Sequence, residues 1–79
     1  MDDKPNTYLD GRKFVTHSGG YARAKITVQA TEDDMSWALM RLGQYVDASH
    51  NGHQFRAYIY SAGSTADYPR LITVLAEPL

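Results

Sequence analysis

Few residues in this chain have types and spacings that can do chemistry. Asp47, His50 and His53 stand at three-residue steps. On a helix ending near His50, two imidazoles and a carboxylate at that spacing would approach the donor set of a zinc site, provided His53 curled back over the turn. No fourth ligand accompanies them, and a histidine at a helix end is explained by the helix dipole, so no metal site is expected. Ser18 adjoins His17 and Ser49 adjoins His50, but neither serine sits in a recognisable nucleophile turn, and adjacency does not make a catalytic triad. Glu32, Asp33 and Asp34 are the only clustered carboxylates, and helix capping accounts for them more simply than acid–base work. HSGGYAR and SAGST lack the spacing of a phosphate-cradling loop. With no cysteine in the chain, a thiolate nucleophile, a thiolate metal site and a disulfide framework are all excluded. The expectation is a protein without catalysis, metal or cofactor.

The sequence reads as organised around Thr31 to Gly52, TEDDMSWALMRLGQYVDASHNG. Thr31 is a good N-cap, and Glu32, Asp33 and Asp34 place negative charge at the positive end of a helix. Met35, Ala38, Leu39, Leu42, Tyr45 and Val46 recur at three- and four-residue steps, predicting one amphipathic helix of about 17 residues with that stripe facing the core. His50-Asn51-Gly52 reads as its C-terminal cap. At about 100° per residue, Trp37 and Met40 fall opposite the stripe beside Gln44 and Asp47. Both are therefore expected at the surface.

The remainder reads as strands. Asp10-Gly11 is a strong two-residue hairpin signal, pairing Tyr8 and Leu9 with Arg12 to Val15. Thr16 to Gly20 reads as a second turn. Tyr21 to Ala30 alternates, with Ala22, Ala24, Ile26, Val28 and Ala30 on one face and Arg23, Lys25, Thr27 and Gln29 on the other. His53 to Ser61 repeats the pattern, with Phe55, Ala57 and Ile59 inward and Gln54, Arg56, Tyr58 and Tyr60 outward. After the loop AGSTAD, Tyr68 to Glu77 is apolar on both faces. The preferred register sends Ile72, Val74 and Ala76 towards the helix and Leu71 and Leu75 to the outer face beside Tyr58 and Tyr60. No internal repeat is apparent.

The order strand, strand, helix, strand, strand predicts a single α+β domain spanning residues 1–79, with residues 1–6 flexible. Its core would be a mostly antiparallel sheet of three or four strands with one α-helix packed across one face. At 79 residues the core is small, which keeps a homodimer in view. The start MDDKPN has no signal-peptide character and no apolar run is long enough for a membrane helix, so a soluble cytoplasmic protein without membrane contact is expected. Net charge is −1, too balanced for a chain whose whole surface grips nucleic acid. Arg12, Lys13, Arg23, Lys25, Arg56 and Arg70 are six of the eight basic residues, and all lie outside the expected helix. This suggests a basic sheet side and an acidic helix side.

Two surfaces follow for a partner: Trp37, Met40 and Gln44 on the helix, and Tyr58, Tyr60, Arg56, Arg23 and Lys25 on the outer sheet face. Aromatic and methionine anchors favour a protein partner, or a second copy of the chain. The Arg-rimmed tyrosines suggest a small RNA- or DNA-binding module as the alternative, although FRAYIYSAG does not match the aromatic signature of sheet-based RNA binders. In size and character the chain is similar to the small proteins with which phages and mobile elements block host machinery, anti-CRISPR proteins among them. That likeness rests on no residue match, and it implies an inhibitor that occludes a partner's working surface.

Overall fold

The computed structural model describes residues 6–20, 25–63 and 70–78. Six strands and one short helix lie among them: β1 (Asn6–Leu9), β2 (Arg12–Gly20), β3 (Lys25–Gln29), α1 (Glu32–Leu39), β4 (Tyr45–His50), β5 (His53–Gly63) and β6 (Leu71–Pro78). All ladders are antiparallel. The strand order is β1-β2-β3-β6-β5-β4, and β4 pairs back onto β1 to close a barrel. The expected open α+β sheet with a helix across its face is therefore incorrect. The helix sits instead where β3 ends and β4 begins.

The difference arises in the second half of the expected helix. Its start is as read: Thr31 accepts from the Asp34 N–H at 3.2 Å while the Asp34 carboxylate accepts from the Thr31 N–H at 3.1 Å, a complete capping box. The helix nevertheless ends at Leu39, with Met40 as C-cap, and Gly43 then takes a φ of +83° that turns the chain out of helical geometry. Tyr45 to His50 continues as β4, with Val46, Ala48 and His50 facing inward and Tyr45, Asp47 and Ser49 outward. Asn51-Gly52, read above as a helix cap, is the β4–β5 hairpin turn. Its φ values of 52° and 84° match the 53° and 82° of Asp10-Gly11, the pattern of a type I′ turn. Leu39 and Leu42, assigned above to the core stripe, are exposed, as is Tyr45.

The other strands follow their alternation, except that Leu71, expected on the outer face, is buried next to Ile72. Ile26 and Val28 of β3, Phe55, Ala57 and Ile59 of β5, and Ile72, Val74 and Ala76 of β6 are buried, as the patterning predicts. Thr16 to Gly20, expected as a turn, extends β2, with a register irregularity between Thr16 and Ser18. A six-stranded barrel has a narrow bore, and these side chains fill it together with Leu9 and Phe14. Closure also removes most of the exposed strand edge that an open sheet of this size would present.

The barrel contains a repeat that the sequence does not advertise. The meanders β1-β2-β3 and β4-β5-β6 meet at two seams, β1 against β4 and β3 against β6. In the second seam Ile26-Thr27-Val28 runs antiparallel to Ile72-Thr73-Val74, with Thr27 opposite Thr73 and their hydroxyls 3.3 Å apart. In the first seam Tyr8 lies opposite Ser49, flanked by Thr7 opposite His50 and Leu9 opposite Ala48. Each half opens with a tight hairpin turn, followed three residues after its glycine by a buried phenylalanine, Phe14 or Phe55. Matching residues are too few, and the segment between Phe and Ile-Thr-Val too different in length, for the repeat to show before the pairing does.

Candidate interaction surface

Neither the Asp47, His50, His53 spacing nor the Ser49–His50 pair comes together on one face. On a strand, residues three apart point to opposite faces. Asp47 is exposed on the outside of β4 whereas His50 is buried inside, and the described residues contain no cluster of three metal-ligating side chains. Ser49 and His50 likewise face opposite sides of the barrel wall.

Trp37 is the largest departure from expectation. Only 7% of it is exposed, so its place on a free surface is a correction. The indole closes one end of the barrel, 6.2 Å from the Phe14 ring, with the Arg12 and Arg41 guanidinium groups 5.2 and 5.1 Å from its own ring centre. Arg41 also donates to the Trp37 carbonyl at 3.3 Å, and Arg12 forms a 2.9 Å ion pair with Asp34. Arg12, expected on a basic side away from the helix, is thus bonded to the helix. Part of this ion pair remains in water, so Arg12→Met, which keeps an apolar stem over the indole, should cost less than about 1 kcal/mol in a denaturant titration.

Five of the remaining candidates, Met40, Gln44, Arg56, Tyr58 and Tyr60, lie on the outer wall of β4 and β5 or on the turn leading into β4. One row runs across four strands: Tyr45 opposite Tyr58, Tyr58 opposite Leu75, and Leu75 opposite Lys25. The Tyr45 and Tyr58 rings are 5.2 Å apart, and the Arg56 guanidinium lies 4.6 Å from the Tyr45 ring centre. In the next row Arg56 sits between Asp47 and Glu77. Tyr45 donates its hydroxyl hydrogen to Glu77 at 2.9 Å. That bond to a carboxylate, aided by desolvation, raises the Tyr45 pKa above its ordinary 10.

Beyond this row, at the register irregularity between Ile59 and Ser61, Tyr60 turns outward and is 59% exposed. The neighbouring turn is tied to β5 by bonds from Gly43 N–H to the Ile59 carbonyl and from Ile59 N–H to the Gln44 carbonyl, both 2.9 Å. This turn carries Met40, 75% exposed, with Leu42 and Gln44 also exposed. Of the sequence-derived candidates, Met40, Gln44, Tyr58, Tyr60 and Arg56 therefore share one side of the molecule, Lys25 lies at the far end of the tyrosine row, and Trp37 is excluded by burial. Arg23 lies outside the described residues. The helical period assigns Leu39, Leu42 and Tyr45 to the core, yet all three are exposed; for Tyr45 the contrary signal is Asn51-Gly52 as a hairpin turn.

No family model, curated protein or solved structure matches the chain. Among the described residues no helix is long and apolar enough to cross a membrane.

Proposed function

We propose that this chain is a non-catalytic protein-binding protein that docks through the β4–β5 wall and the turn preceding it. The supporting observation is the distribution of exposed apolar side chains. Of the seven large hydrophobic residues exposed among the described residues, Leu39, Met40, Leu42 and Tyr45 lie within one short segment, and Tyr60 lies on the adjoining strand. Solvent-facing Met, Leu and Tyr concentrated in this way, with Arg56 among them, is the composition of a protein interface rather than of an ordinary wet surface.

The outer wall suits a nucleic-acid backbone less well. Arg56 is flanked in register by Asp47 and Glu77, so its charge is balanced locally and two carboxylates would face any phosphate that approached it. The finer reading, a phage or mobile-element inhibitor that covers a host protein's working surface, rests on size and character alone.

The test compares wild type with a Met40→Ser/Tyr60→Ser double variant as bait in extracts of the cell that expresses the gene. Both sites are exposed, so the variant's unfolding free energy should stay within about 0.5 kcal/mol per site. Retention of a wild-type partner should fall by more than about tenfold, the effect of losing one or two interface anchors. Equal retention by bait and variant overturns the assignment of this surface.

A further inference from the structure

We propose that the β1–β4 seam is an acid-labile closure: uptake of a proton by His50 releases β1 from β4 and opens the barrel there, while the opposite β3–β6 seam stays paired. The seam is short. It joins residues 7–9 to 48–50, extended by a 2.7 Å bond from the Asp10 N–H to the Asp47 carbonyl. It also holds the two buried polar residues found among the described residues, Thr7 and His50.

The repeat marks His50 as the odd member. Leu9 and His50 occupy equivalent places, each immediately before its half's hairpin turn and each facing inward across the seam. One is fully buried hydrocarbon, whereas the other is an ionisable ring that is 7% exposed. No apolar packing requirement explains an imidazole there.

The hydrogen bonds around it suit the neutral ring. The Thr7 hydroxyl lies 2.9 Å from His50 Nδ1 and 2.7 Å from the Thr16 hydroxyl. With Nδ1 bare, Thr7 donates to the imidazole and accepts from Thr16, so both hydroxyls and Nδ1 have partners. A proton on Nδ1 makes the ring the donor and the Thr7 hydroxyl its acceptor. It also places a charge inside the barrel. The groups of β1 and β2 that bond within this cluster, Thr7 and Thr16, are uncharged, and the described charge acting on His50 is the like charge of His53 across the hairpin. Burial, then that repulsion, lowers the His50 pKa below its ordinary 6.5.

The direction follows by linkage. Above about pH 6.5 the ring is neutral whether the seam is open or closed, and the closure is at full strength. As the pH falls below that value the open form takes up the proton first. Opening then gains up to about tenfold per pH unit until the closed form itself titrates.

Amide hydrogen exchange on the intact chain from pH 7.5 to 5, corrected for intrinsic rates, reads this directly. Protection at residues 7–9 and 48–50 should fall on acidification, while protection at 26–28 and 72–74 holds. His50→Leu, the residue its counterpart carries, should remove the response. Seam protection independent of pH, equal loss at both seams, or an unchanged response in His50→Leu each overturns the proposal. Should that variant fail to fold, NMR titration of the wild-type ring decides: a His50 pKa below 6.5 sustains the proposal, and one at or above 6.5 overturns it.

Discussion

Trp37→Ala is expected to destabilise the protein by about 3–5 kcal/mol, the range found when a buried aromatic ring is removed and its cavity cannot fully collapse. For 79 residues the whole folding free energy is about 4–12 kcal/mol, so the variant should be largely unfolded or close to it at 37 °C. The mechanism is local. The indole is the side chain with which α1 closes one end of the barrel, stacked near Phe14 and held between Arg12 and Arg41. Removing it opens the Phe14 side of the core and leaves two guanidinium groups without their aromatic partner. The contrast is Met40→Ala, three residues further on and 75% exposed, which should shift a urea midpoint negligibly. A Trp37→Ala protein as stable as wild type would mean that the helix does not cap the barrel as described.

Gly19→Ala is the second large effect, and its cause is the backbone. Gly19 has a φ of +81°, and a Cβ built there falls 2.0 Å from the carbonyl oxygen of Lys25 in the adjacent strand. Left-handed geometry costs a non-glycine residue about 1–3 kcal/mol by itself. Because the clashing atom is backbone in a hydrogen-bonded ladder, relief requires β2 and β3 to part, and a total loss above about 3 kcal/mol is expected. Gly11 and Gly52 provide the control. Their φ values are also positive, at 82° and 84°, but an added Cβ meets nothing within 4 Å. Gly11→Ala and Gly52→Ala should therefore show the conformational penalty alone, about 1–3 kcal/mol. Equal losses at all three positions by chemical denaturation would show that the close approach at Gly19 contributes nothing.

How far the site was legible in the residues differs from one to the next. Met40, Tyr60 and Arg56 were placed at the surface by alternation and helical phase, and they are there. Trp37 was placed by the same helical phase and is buried, because a short helix that caps a barrel end is covered by strands on a side that a helix lying across a sheet would leave open. Tyr45 was assigned to the core and is exposed. The steps Leu42, Tyr45, Val46 fit a 3.6-residue period, while Val46, Ala48, His50 fit a period of two, and six residues do not distinguish the periods. The turn residues at 51 and 52 favour the second reading, which becomes decisive once residues 53–58 pair with 45–50.

Local chemistry was sufficient for some of the features that depend on neighbours in the chain, although not for the Asn51-Gly52 turn. The Asp10-Gly11 hairpin, the Thr31 N-cap and the inward faces of β3, β5 and β6 all follow from turn geometry, orphan amide groups and alternation. Tertiary pairing alone settled whether residues 45–50 form helix or strand, whether the sheet stays open or closes, and what covers Trp37. The first rests on the pairing of residues 45–50 with 53–58, and the others on hydrogen bonds and apolar contacts between segments far apart in sequence, such as Thr7 with His50 or Thr27 with Thr73. Their free energy is shared among many residues, and none of it is visible in any single stretch of the chain.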